Sequence, residues 1–212
     1  MSKFSLLYTG SFLILLSIFS FFNIIYSYYF KIFLNIHTYT YTFVLCLILG
    51  ISIIFFSKTR IKNISLYEKI LTVLFGYFIF PLIISIPYYL SIYDINFLSC
   101  YFEAVSGFTS TGFTIFDNIK QIDESLILWR STSQWIGGLY FLFSILLLID
   151  IFDENLKKSL TNYLSFNSSE IFKQVFKIII IYTSLTISTF IILKFINLRT
   201  FDAFNFSLTI IS

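Results

Sequence analysis

The sequence predicts an all-α integral membrane protein, a set of polytopic helices with a re-entrant pore loop between two of them. Three observations predict it. Of 212 residues, 58% are hydrophobic and 12% charged, and the mean hydropathy is +0.88, too apolar for a water-soluble domain of this size. Long runs free of Asp, Glu, Lys and Arg recur, each able to cross a bilayer. Between two of these runs lies Phe102-Glu103-Ala104-Val105-Ser106-Gly107-Phe108-Thr109-Ser110-Thr111-Gly112-Phe113-Thr114, a short apolar helical stretch that breaks into a Thr/Ser/Gly loop. Carbonyls can replace an ion's water shell only where the chain leaves the helix. At membrane depth such backbone is tolerated only where it lines a cavity or is buried in protein.

Taken in order, Phe4 to Phe30 carries no charge between Lys3 and Lys31 and is long enough to span with tilt. Its core is longer than that of a signal peptide and lacks a small-residue cleavage site, so it is expected to be retained. Ile32 to Ser57 crosses back after a short loop near Leu34 to Thr40, and residues 1–64 form two leading helices. Lys58, Arg60, Lys62 and Lys69 cluster in a polar link. The positive-inside rule places that link and the N-terminus in the cytoplasm, and the Lys31 to His37 turn outside. Ile70 to Tyr93 is the third span, with Pro81 and Pro87 inside it. Each proline removes a backbone bond and kinks the helix, as packing geometry or as a gating hinge. Tyr88, Tyr89 and Tyr93 fall near the expected outer boundary, where aromatic side chains favour the interface.

Asp94 and Asn96 are suitable caps for a half-helix from Phe97 to Phe108. Its partly negative C-terminal end would point at the loop and favour a cation there. Gly112 can take a positive φ, which lets successive carbonyls turn toward one axis. Thr109, Ser110, Thr111 and Thr114 add uncharged hydroxyl oxygens. Residues Thr109 to Thr114, including Phe113, therefore read as a selectivity filter for a monovalent cation held by the Ser110, Thr111 and Gly112 carbonyls. On spacing alone, a Gly/Ser/Thr turn between two ordinary helices fits as well. Asp117, Asp123 and Glu124 follow, either as a cation-concentrating outer mouth or as a solvated loop.

Ser125 to Asp150 is the fourth span. Glu103 and Arg130 lie where charge is costly, so they are expected to pair, directly or through water, and brace the filter. Gly137-Gly138 is a small-residue site where another helix can approach.

Phe102 to Thr114, followed by Trp129-Arg130-Ser131-Thr132-Ser133-Gln134-Trp135-Ile136-Gly137-Gly138-Leu139, resembles the first pore repeat of the Trk/Ktr potassium transporter family. The resemblance covers roughly residues 75–150. It implies potassium-channel-like helix–pore loop–helix repeats, four in one chain, with potassium ion as substrate. Residues 65–152 would be the first repeat and 153–212 a cytoplasmic link and an incomplete second repeat. Ile178 to Leu193 would be its span, with Lys177 and Lys194 snorkelling, and Phe201 to Ser212 its half-helix, so that Ser212 starts a second filter. The link from Asp153 to Lys177, with Lys157, Lys158 and Lys173, is polar and again expected on the cytoplasmic side. Family members follow the glycine pair with a hydrophobic residue and a further glycine, where this chain has Tyr140.

The resemblance also implies a homodimeric membrane part and a cytoplasmic nucleotide-binding regulatory subunit. One filter and the approach to another make the chain an apparently truncated pore-forming subunit. The alternatives are a one-filter chain that assembles with other copies, and a non-conducting membrane protein.

Other function classes lack residues. The net charge of +3 is dispersed, with no basic stripe for nucleic acid. Cys46 and Cys100 sit in apolar stretches and His37 is the single histidine, so neither a disulfide, a metal site nor a catalytic triad is indicated. No enzyme activity and no cofactor are expected.

Overall fold

The computed structural model describes residues 3–57, 66–118, 122–148 and 171–212, with side chains from residue 6 in the first segment and from residue 176 in the last. The basic cluster Lys58, Arg60 and Lys62, Asp150, and the polar link with Lys157, Lys158 and the Lys173 side chain lie outside the described residues.

The described residues form seven helices and no strand: α1 (Lys3–Tyr29), α2 (Ile36–Ser57), α3 (Leu66–Tyr89), α4 (Phe97–Phe108), α5 (Glu124–Leu148), α6 (Ile171–Phe195) and α7 (Thr200–Ile211). Five of them, α1, α2, α3, α5 and α6, are long and apolar enough to cross a membrane, and the protein is a multi-pass membrane protein. Helices α4 and α7 have 12 residues each. At a 1.5 Å rise each is roughly 18 Å long, too short for a hydrocarbon core of about 30 Å.

Boundaries shift where local hydrogen bonding overrides hydropathy. The α1–α2 turn is tighter than expected, because Ile36 already starts α2 and Thr38 Oγ1 donates back to the Asn35 carbonyl at 2.7 Å. Helix α3 ends at Tyr89 rather than Tyr93, as Ser91 turns both its N–H and its hydroxyl onto the Tyr88 carbonyl. Helix α6 starts at Ile171, ahead of its apolar part, Phe176–Phe195. Lysine is a good helix former, so Lys173 and Lys177 extend the helix although they interrupt the hydropathy.

Pro81 and Pro87 lie inside α3 and are buried. One turn before Pro87, the Ile84 carbonyl accepts the Trp129 indole N–H at 3.0 Å, which ties the proline-bearing stretch to α5. Tyr88 is fully buried and therefore belongs to the core rather than to an interface belt, whereas Tyr89 is half-exposed. The core centres on Tyr140. Its ring packs edge-on against Phe12, Tyr77 and Phe80 with centroids 5.0, 5.1 and 5.2 Å away, and against Phe108 at 5.3 Å. Four helices, α1, α3, α4 and α5, thus meet on one side chain.

The C-terminal ends of α1 and α3, the N-terminal end of α5 and the α6–α7 turn gather at one end of the bundle. Asn35 donates to Asp123 at 3.3 Å and accepts the Ile92 N–H. The Tyr26 hydroxyl donates to Glu124 at 3.0 Å, and Arg199 pairs with Glu124 at 2.7 Å. Hydrogen bonds to Glu124 and Asp202 raise the already high pKa of Arg199, so its charge is permanent. This polar rim lies at the end toward which the 109–117 loop opens.

Candidate functional site

Helix α4 builds the floor of the loop. Asn96 caps its N-terminus, accepting the Ser99 N–H at 2.8 Å. Asp94 instead takes a left-handed φ of 50° in the preceding turn, so of the two expected caps Asn96 alone serves. At the other end, the Thr111 N–H returns to the Ser106 carbonyl and the Ser110 N–H to the Gly107 carbonyl. These are the paired bonds of a Schellman closure, with Ser110 at the left-handed position, φ 56°. Gly112 follows with φ 80° and open space around it. Two left-handed residues separated by one turn the chain back along α4.

Glu103 is fully buried beside this loop. Its carboxylate accepts the Arg130 Nε–H at 2.6 Å, the Thr114 hydroxyl at 3.2 Å and the Ile115 N–H at 2.9 Å. Arg130 also reaches the loop backbone, donating from Nη2 to the Gly112 and Phe113 carbonyls at 3.2 and 3.3 Å. The structure therefore brings the two intramembrane charges of the sequence into direct contact with each other and with the loop. A buried charge pair of this kind is tolerable because the remaining carboxylate lone pairs are also used.

Three of the loop hydroxyls, those of the threonines, have partners that can be followed. Thr109 donates to the Val105 carbonyl at 2.8 Å, Thr111 to the carbonyl and hydroxyl of Ser106 at 3.2 and 3.1 Å, and Thr114 to Glu103. Each hydroxyl has one proton, and these protons are engaged toward α4. Thr109 and Thr111 are exposed, so with these protons turned toward α4 their hydroxyl oxygens offer lone pairs to solvent. Phe113 is 70% exposed, and its ring does not fill the core.

Helix α5 holds the site from below through its glycine pair. A Cβ on Gly137 would run into the Phe108 carbonyl at the end of α4. On Gly138 it would meet the Tyr182 hydroxyl and, at 3.0 Å, the Ser212 Cα at the end of α7. Adjacent glycines on one helix thus seat the C-terminal ends of both short helices, and Ser212 lies at the second seat. Ser131 and Asn205 are hydrogen-bonded between α5 and α7.

Of the three acids beyond the loop, Asp123 and Glu124 are engaged in packing. Asp123 caps α5 through the Ser125 N–H and hydroxyl, and Glu124 holds Tyr26 and Arg199. Asp117 is exposed. Among the described residues no cluster of His, Cys, Asp or Glu could hold a metal ion. Ser106, which lies within the Phe102 to Thr114 stretch but has no role assigned from the sequence, touches both sides of the loop turn. Its role is visible only once the turn has brought Phe113 back over it.

No family model matches the chain. Over 80 residues, 38% of the chain, it is 35% identical to an uncharacterized cation transporter of Methanocaldococcus jannaschii, of which the match spans 17%. It is 38% identical over 55 residues to the Trk system potassium uptake protein TrkI of Halomonas elongata, covering 26% of this chain and 11% of that one. With the Trk system potassium uptake protein TrkG of Escherichia coli it shares 26% over 99 residues, 46% of the chain and 20% of the relative. The crystal structure of the potassium transporter TrkH from Vibrio parahaemolyticus overlays 98% of the chain with a TM-score of 0.73 at 21% identity, a likeness in fold. The chain spans 42% of that transporter.

Proposed function

We propose, from the premise that this chain belongs to the Trk/Ktr family of membrane subunits and spans only part of their length, that it supplies a filter for potassium uptake across the cell membrane. The observation that carries this reading is the inward engagement of the Thr109, Thr111 and Thr114 protons. With their protons turned away, the exposed Thr109 and Thr111 oxygens present lone pairs, which favour a cation over an anion. The C-terminal end of α4 adds its partial negative charge. A dehydrating potassium ion would be met by the loop carbonyls from Ser110 to Gly112, in a re-entrant segment between α3 and α5. Gly112 retains one carbonyl lone pair for it beside the Arg130 bond.

Such a filter works as one of several loops around an axis. The remaining loops would come from outside these 212 residues, in a longer chain or in partner chains. In the proposed arrangement residues 65–152 form the first repeat, Ser212 opens the second filter, and the N-terminus lies in the cytoplasm. The family reading adds a homodimeric membrane part and a cytoplasmic nucleotide-binding regulatory subunit.

The test is potassium-limited growth of an uptake-deficient bacterium expressing the chain with its surrounding coding sequence, the 212 residues alone, or the longer form with Gly112→Ser. Rescue by the longer form and its loss with Gly112→Ser is the expected result, because a side chain at φ 80° is strained and the loop must reshape. Rescue by the 212 residues alone would mean that several copies assemble the pore. Growth unchanged by Gly112→Ser would overturn the filter assignment.

A further inference from the structure

We propose that Ser106 is a positioning residue that sets the ion preference of the loop, an inference that rests on the filter reading above. Its side chain is buried, on the last turn of α4. The hydroxyl donates to the Phe113 carbonyl at 2.6 Å, the shortest of its contacts, and accepts the Thr111 hydroxyl at 3.1 Å. The Ser106 carbonyl takes the Thr111 N–H at 3.1 Å and the Thr111 hydroxyl at 3.2 Å. One residue therefore holds both flanks of Gly112 and fixes the separation of the loop oxygens from the helix behind them.

Two consequences follow from the directions of these bonds. The proton given to the Phe113 carbonyl keeps that oxygen facing α4 and away from a passing ion. The lone pairs given to Thr111 draw its proton inward and leave its oxygen electron-rich on the exposed side. Without the hydroxyl, the Phe113 carbonyl is held by Arg130 alone, at 3.3 Å. The loop can then contract around a smaller cation. Discrimination between monovalent cations depends on cavity size and on how freely the ligating oxygens move, so the preference for potassium over sodium should relax.

Removing the hydroxyl by Ser106→Ala changes little volume. In the uptake-deficient host carrying the longer form, uptake of labelled rubidium is measured against competing potassium and sodium. The ratio of the two inhibition constants is expected to fall by about fivefold with Ser106→Ala, the change that one net hydrogen bond represents. It should return with Ser106→Thr, which restores the donor. A mere packing role would alter total flux and leave the ratio unchanged, and that outcome overturns the inference. If Ser106→Ala carries too little flux for a ratio, Ser106→Cys keeps the shape with a weaker donor, and a wild-type ratio there overturns it equally. Absence of rubidium uptake in the unmutated protein would instead sink the transport reading itself.

Discussion

Arg130 places a positive charge within hydrogen-bond distance of the backbone proposed to receive a cation, and Glu103 is what makes this tolerable. With its carboxylate at 2.6 Å, the guanidinium acts on the Gly112 and Phe113 carbonyls as a hydrogen-bond donor rather than as an uncompensated charge. Glu103→Gln would leave the arginine facing the ion, and Arg130→Gln would leave a buried carboxylate with only Thr114 and the Ile115 N–H. Removing one partner of a buried pair costs about 3–5 kcal/mol. In thermal unfolding in detergent, the double variant is therefore expected to lose less than the sum of the two single variants, with a coupling of about 1–3 kcal/mol. Additive losses would show that the two residues act separately. The pairing was legible in the sequence because both charges stand in otherwise apolar segments, where an unpartnered one is excluded. Ser106 was not, since a serine near a helix end has many uses and only the left-handed Ser110 and Gly112 bring Phe113 back to it.

The first two spans were legible from uncharged length, whereas the two short helices needed a capping signal or the resemblance, and helix ends were set by single hydrogen bonds, as at Ser91 and Asn35. Tyr140 illustrates the limit further, since it stands where the resemblance leads one to expect a glycine. The structure accommodates it through a glycine on the facing helix. A Cβ on Gly76 would collide with the Tyr140 ring, and the Tyr140 hydroxyl passes beyond it to donate to the Val73 carbonyl at 2.9 Å. The two positions exchange volume across the α3–α5 contact, which a linear sequence does not display. Gly76→Ala is expected to destabilise the protein by about 1–3 kcal/mol through overpacking. Tyr140→Leu should cost a similar amount through the cavity it leaves. Combined, they should cost at least about 1 kcal/mol less than their sum, while Tyr140→Phe should bring only partial relief, because it removes the hydroxyl nearest the new methyl and leaves the ring carbon Cζ against it. A strictly additive pair would remove the volume exchange.

The whole molecule has one end where α1 and α3 finish, α5 starts and the candidate loop opens, and the orientation of that end decides the direction in which the loop can work. By the positive-inside rule, the basic residues of the link before α3 and the uncharged lengths of α1 and α2 lead to the expectation that this end lies outside. The helix packing is consistent with either orientation, because Asn35, Asp123 and Ile92 would hold together equally well on both sides. Cysteine labelling separates them with little background, since Cys46 and Cys100 are both fully buried. Lys31→Cys lies at the loop end, and Tyr67→Cys, at a position 70% exposed, lies at the start of α3. A membrane-impermeant maleimide should label Lys31→Cys in intact cells and Tyr67→Cys only after permeabilisation. With that pattern, a cation meets the oxygen-lined loop before it meets the glycine-seated helix ends, and the membrane potential drives it inward past them. The opposite pattern would put the loop on the cytoplasmic face, where the same oxygens would bind ions on their way out, and the uptake reading would fail although the filter chemistry stood.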